Sequence, residues 1–315
     1  RRAQWMHGAV PVRPHRREGA CMSENARPLR IGWIGTGIMG SSMAGHLLRA
    51  GNAIRVHSRT RSKAQPLLDA GAEWASSPAE AASGVDVVCT NVGMPSEVED
   101  VYFGAAGVLG AVGAGQVLID FGTSPPSFAR RLAAAAQERG ATAIDAPVSG
   151  GDIGARNATL SIMVGGPEGA VSRMRPLLGR LGKSVVHMGP AGAGQRTKLV
   201  NQVLVAANTL GMCEALHLAD RAGLDLQRVL DAVGGGAAAS WSLQVLAPRV
   251  LKGDLDPGFL AEHLVKDLRI ARDEAKELGE FVPLIDLCLA RYEALVAAGH
   301  GRKGTQGVVL LYRGR

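Results

Sequence analysis

A chain of 315 residues that is 46% apolar and 20% charged can build a sizeable core in about two domains, which excludes a fibrous or wholly disordered protein. The net charge of +7 does not mark a nucleic-acid binder: residues 1–30 carry seven arginines against Glu18 and Glu24, leaving only +2 on the rest. No run approaches the roughly 18 uninterrupted apolar residues of a membrane helix, and four scattered cysteines and eight scattered histidines predict neither a metal site nor a disulfide framework.

Residues 1–29 hold Pro11, Pro14 and dispersed charge without helical or strand period, so a disordered Arg-rich leader is expected. Such a leader is either a transit peptide for an organellar matrix or sequence lying upstream of a start at Met22. The cysteines are expected as reduced thiols in a cytoplasmic or organellar protein.

Residues 30–192 alternate short apolar runs with helical patterns. Strands are expected at 30–34, 53–57, 85–91, 117–120, 142–146, 161–164 and 184–187, with helices at 38–50, 64–70, 96–102, 127–138 and 167–181. Alternation of this kind predicts an α/β domain with a Rossmann-type parallel sheet. The breaker-rich stretch Pro190-Ala191-Gly192-Ala193-Gly194 then ends the pattern. Residues 193–315 read as an all-α C-terminal domain with helices at 195–222, 225–233, 241–251, 260–278, 282–298 and 306–312.

The turn Gly35-Thr36-Gly37-Ile38-Met39-Gly40 follows the first strand and opens the first helix. Its three glycines serve a tight turn, close backbone approach to a pyrophosphate, and close packing of helix on strand. NAD enzymes typically place an acid at the end of the second strand to hold the ribose 2′-hydroxyl. Here that end reads Ser58-Arg59-Thr60-Arg61, with no acid. Arg59 and Arg61 suit a 2′-phosphate, so NADP(H) is expected over NAD(H).

Farther along, Lys198 and Asn201 stand at i and i+3, on one face of a helix. A lysine whose pKa is lowered by burial can deliver a proton to an alkoxide. Ser149-Gly150-Gly151 follows a strand and can offer successive N–H groups to an anion. Thr123 ends another strand, where ligands of open α/β sheets bind; Ser124 is either a neighbouring contact or a helix cap beside Pro125. Lys266-Asp267 reads on its own as an exposed pair.

Four motifs together give this chain, from about Arg30 onward, a resemblance to the β-hydroxyacid dehydrogenases, especially the 3-hydroxyisobutyrate dehydrogenase-like and glyoxylate/succinic semialdehyde reductase group. They are the glycine turn with Met39; Asp145-Ala146-Pro147-Val148-Ser149-Gly150-Gly151; Gly194-Gln195-Arg196-Thr197-Lys198-Leu199-Val200-Asn201-Gln202; and Lys266-Asp267-Leu268. The resemblance implies an oxidoreductase interconverting a small hydroxyacid and its semialdehyde, with its site in a cleft between the two domains. It implies Lys198 as acid/base and Asn201 as substrate-orienting residue. It implies Ser149, Gly150 and Gly151 on the substrate carboxylate, Met94, Pro95 and Thr123 along the nicotinamide side, and Lys266 by the cofactor. It also implies a homodimer or homotetramer. An imine reductase-like enzyme and a non-catalytic NADP-binding scaffold are the alternatives; Lys198 argues against both.

Overall fold

The computed structural model describes residues 27–312, so the expectations for the leader as far as Ala26, including Cys21, lie outside the described residues. Nine strands form one sheet: β1 (Arg30–Ile34), β2 (Ala53–His57), β3 (Glu73–Trp74), β4 (Val87–Thr90), β5 (Val117–Asp120), β6 (Thr142–Asp145), β7 (Val148–Ser149), β8 (Leu160–Gly165) and β9 (Gly182–Gly189). Their order is β3-β2-β1-β4-β5-β6-β8-β7, with β9 beside β8. Helices α1 (Ile38–Arg49), α2 (Gln65–Asp69), α3 (Pro78–Ala82), α4 (Pro95–Phe103), α5 (Pro126–Gln137), α6 (Gly151–Arg156) and α7 (Glu168–Leu178) connect them.

The central strands β4 and β5 are buried along their whole length because both faces of the sheet are covered there. Alternate residues feed opposite cores: Val87, Cys89, Val117 and Ile119 join one, and Val88 and Leu118 the other. Burial of Trp33 and Ile31 in β1, both fully enclosed, stabilises the domain by roughly 1.5–3 kcal/mol each.

The sheet is mostly, not wholly, parallel. β7 and β8 run antiparallel, and β8 also meets β6 in antiparallel sense at Asp145 and Gly165. The chain doubles back after Pro147 through a two-residue strand, too short for its periodicity to register. α3 and α6, of five and six residues, are likewise too short for a helical period to show in the sequence. Yet Ser77 accepts the Glu80 N–H at 3.1 Å while the Glu80 side chain accepts the Ser76 N–H at 2.7 Å. That cap, with Pro78 at the first helical position, was written in Ser-Pro-Ala-Glu.

The helical region comprises α8 (Ala193–Arg221), α9 (Leu226–Val233), α10 (Ala247–Leu251), α11 (Ala261–Glu277) and α12 (Pro283–Leu295) around a separate apolar core. The helix expected over 241–251 widens into a π turn at Ser242–Leu246 before Pro248, which has no N–H to donate. The helix expected over 282–298 stops at Leu295, and Gly299 takes φ +83° in the π turn that follows. α8, with 29 residues, is long and apolar enough by length and composition to cross a bilayer, although 44% of its most apolar window is buried inside the protein. It packs on β8 and β9 at one end and on α11 and α12 along its length, which joins the sheet to the helical region.

Candidate active site

The glycine turn has three differently constrained glycines. Gly35 holds φ +100°, and a Cβ there would fall 2.3 Å from the Asn91 carbonyl oxygen. A Cβ on Gly40 would lie 2.3 Å from the Gly35 oxygen. Gly37, by contrast, faces open space at the N-terminus of α1, with no side-chain cap on the helix. The open position and the uncapped N–H groups make a cradle for a pyrophosphate. Thr36 Oγ donates to Ser58 Oγ at 2.8 Å, tying the turn to the end of β2; Ile38 is exposed and Met39 half-buried. The two hydroxyls engage each other, Arg59 extends into solvent and pairs with Glu97 at the first turn of α4, and Thr60 is exposed. Arg61 does not share that position: its guanidinium lies 5.3 Å from the Trp74 ring centroid.

The start of α8 is fixed from the sheet. Asp145, at the end of β6, accepts the Gly192 and Gln195 N–H groups, each at 2.8 Å, and so caps the helix. Burial raises the Asp145 carboxyl pKa, opposed by these hydrogen bonds. The fully buried Gln195 carboxamide receives the Ser124 N–H at 3.0 Å and donates to the Gly122 oxygen at 2.9 Å, pinning the loop that carries Thr123. Ser124 is not a helix cap: its hydroxyl turns inward to Asp120 at 3.3 Å. Asp120 also accepts from Thr90 at 2.8 Å and from the Gly122 N–H at 3.0 Å.

One turn beyond this anchor stands Lys198, only 7% exposed and without a hydrogen-bond partner among the described residues. Burial pushes its pKa down to about 8; Asp267 opposes the shift and Lys266 adds to it. Lys266 and Asp267 are not the exposed pair their sequence suggests: both are buried, and the ammonium meets the carboxylate at 2.6 Å. Lys266 also donates to the Thr123 carbonyl at 2.6 Å, linking the helical region to the sheet. Gln202 Nε2 donates to the other Asp267 oxygen, and Asn201 Nδ2 donates to Gln202 Oε1 at 2.8 Å. A single polar chain therefore runs from Thr123 through Lys266, Asp267 and Gln202 to Asn201. It leaves the side-chain amide oxygen of Asn201, one helical turn from Lys198, without a hydrogen bond among the described residues.

Ser149 ends β7, half-buried, and Gly150 and Gly151 follow at φ +134° and +62°. Neither glycine N–H has an acceptor among the described residues. The turn lies against the loop before α11: a Cβ on Gly151 would sit 3.8 Å from the Gly258 oxygen. Met94 and Pro95 open α4, and the adjoining Gly93 faces the ring of His263 from α11. Burial and the nearby Lys266 charge lower the His263 pKa. Gln195, Gln202, Asp145 and His263 had no assigned role in the sequence, although the first three stand inside its motifs.

Two family models cover the described chain. That of the NAD binding domain of 6-phosphogluconate dehydrogenase matches residues 30–189. That of the NAD-binding region of NADP-dependent 3-hydroxyisobutyrate dehydrogenase matches residues 192–312. The chain belongs to the β-hydroxyacid dehydrogenase family. It is an NAD(P)-dependent oxidoreductase of that family. A probable 3-hydroxyisobutyrate dehydrogenase-like mitochondrial protein of Arabidopsis thaliana is 47% identical over 282 residues, 89% of this chain and 84% of that protein. The NAD-dependent L-serine dehydrogenase of Pseudomonas aeruginosa is 34% identical over 290 residues, 90% of this chain and 97% of the relative. The 2-hydroxy-3-oxopropionate reductase of Escherichia coli is 38% identical over 271 residues, 86% and 92% of the two chains. Among solved structures, a Mycobacterium tuberculosis 3-hydroxyisobutyrate dehydrogenase with L-serine superposes at TM-score 0.82 with 32% identity, covering 91% of this chain and 99% of that one. An imine reductase from Pseudomonas matches at TM-score 0.60 with 18% identity, a likeness of fold alone.

Proposed function

We propose that the protein interconverts a small carboxylate-bearing hydroxyacid and its semialdehyde, with NADP(H) preferred over NAD(H). The observation that carries this reading is Lys198: a buried lysine with its pKa lowered to about 8, on a helix anchored by Asp145 and one turn from Asn201. With the pyrophosphate of the dinucleotide at the glycine turn, its nicotinamide would supply or accept the hydride.

In reduction, the Lys198 ammonium donates its proton to the carbonyl oxygen as negative charge develops there. In oxidation, the neutral amine accepts the hydroxyl proton. A lysine with a pKa of about 8 has both forms available near neutral pH. Asn201, held through Gln202 and Asp267, presents its oxygen to a substrate hydroxyl. The N–H groups of Gly150 and Gly151, with the Ser149 hydroxyl, receive the carboxylate. Lys266 positions Thr123 beside the nicotinamide by gripping its carbonyl, while Met94 and Pro95 line the same side. Arg59 meets the 2′-phosphate.

We also infer assembly through α8. Val200, Leu204 and Leu218 leave an apolar stripe of 58–71% exposed side chains, interrupted only by small or polar residues, which suits a second copy in a homodimer. The plant relative's name places that protein in mitochondria. Buried cysteine thiols at Cys89, Cys213 and Cys288 suit a reducing compartment, cytoplasm or organellar matrix.

Steady-state reduction of glyoxylate, succinic semialdehyde and methylmalonate semialdehyde, and oxidation of 3-hydroxyisobutyrate and L-serine, each with both cofactors, test the reading. Turnover of at least one carboxylate-bearing substrate is expected, at lower KM than its decarboxylated analogue. Equal KM for the two would contradict the carboxylate site.

A further inference from the structure

The end of β2 contains no acid, yet the structure brings one there from elsewhere in the chain. Glu97, in the first turn of α4, reaches the Arg59 guanidinium across 38 residues of sequence. The sheet order β2-β1-β4 makes the span informative. Arg59 follows β2, Glu97 follows β4, and the glycine turn follows β1 between them. The ion pair therefore crosses the crevice at the carboxyl ends of three adjacent strands, where open α/β sheets hold their nucleotide. Among the described residues no other side chain holds Arg59, whose side chain is 81% exposed. Glu97 is the better anchored partner, with 34% of its side chain exposed.

We propose that Glu97 is a specificity-determining residue that works against the 2′-phosphate through Arg59. The proposal rests on the assignment of Arg59 to the adenosine ribose. A 2′-phosphate carries a charge of roughly −1.5 to −2 near pH 7 and takes the guanidinium through two directed hydrogen bonds. Arg59 must then give up Glu97, whose carboxylate is left close to the phosphate charge. With a plain 2′-hydroxyl, no anion competes for Arg59, and its ion pair with Glu97 stays intact. Glu97 thus lowers the affinity for NADPH and leaves NADH untouched, which moderates the preference set by the basic β2 end. Arg61, stacked on Trp74, stands outside this exchange.

The test is fluorescence titration of NADPH and NADH, at low ionic strength where exposed charges are least screened. The proteins are wild type, Glu97→Gln, Arg59→Ala and the double variant. Glu97→Gln keeps size and hydrogen bonding while removing the charge. It is expected to tighten NADPH on the order of fivefold, the scale of an exposed charge contact, with NADH unchanged. In the Arg59→Ala background the same substitution is expected to shift the ratio of the two affinities less than twofold. An unchanged ratio in Glu97→Gln, or an equal change with and without Arg59, would overturn the role of Glu97. A wild-type preference for NADH, with Glu97→Gln still raising the ratio, would sink the NADP assignment and leave Glu97 standing as the determinant.

Discussion

Lys198 illustrates how burial changes the acidity of an ordinary residue type. Its pKa falls from 10.5 to about 8 because the ammonium is desolvated. Reduction should consequently fade as pH rises through about 8, and oxidation should gain over the same window. Initial rates in both directions check this; a reduction limb flat to pH 10 would remove Lys198 from proton transfer. Stability carries the same signature with a definite sign. Between about pH 8 and 10.5 the unfolded lysine keeps a proton that the folded one has lost, so stability rises with pH across that window, and below it the folded state bears the full cost. Lys198→Met should therefore melt higher than wild type at pH 7, by roughly 2–5 °C, while losing turnover. The lysine and asparagine were legible because a polar pair at i and i+3 stands out among Leu199, Val200 and Val203. Asp267 and Gln202 were not, because the hydrogen bond that gives each its part joins residues 65 apart.

At the scale of elements, the junction of β6, β8 and α8 is built on close approach. A Cβ on Gly194 would stand 2.5 Å from the Met163 oxygen and 2.8 Å from Asp145 Oδ2; on Gly165 it would stand 2.5 Å from Asp145 Oδ1. Gly194→Ala should accordingly push the first turn of α8 off its carboxylate cap and cost roughly 1–3 kcal/mol of stability. Thermal melting with and without NADPH measures it, and an unchanged midpoint would mean the helix start has slack. The glycine turn could be read in advance because its three glycines stand within six consecutive residues directly after a strand. The role of Gly194 could not, since it depends on atoms contributed by two strands. The same reasoning explains the antiparallel β7: two residues have no period to read, and only pairing with β8 makes them a strand.

In the whole molecule the glycine turn belongs to the sheet and Lys198 to α8, the helix that crosses from the sheet to the helical region. Replacing Leu204 and Leu218 together with glutamate should leave a monomer in sedimentation experiments; a wild-type protein that is already monomeric would remove the α8 interface. The alternation of strands and helices up to Gly189 made the sheet legible, and the change of period after Gly194 made the helices legible. The contact between the two regions was not, because the Lys266–Thr123 hydrogen bond that joins them spans 143 residues. The central claim is that Lys198 moves the proton that accompanies hydride transfer. Single-turnover oxidation of NADPH by a carboxylate-bearing semialdehyde, compared in wild type and Lys198→Ala, tests it most directly. A loss of about a hundredfold or more in the hydride-transfer rate, with NADPH affinity within twofold of wild type, is the expected result; an undiminished rate in Lys198→Ala would contradict it.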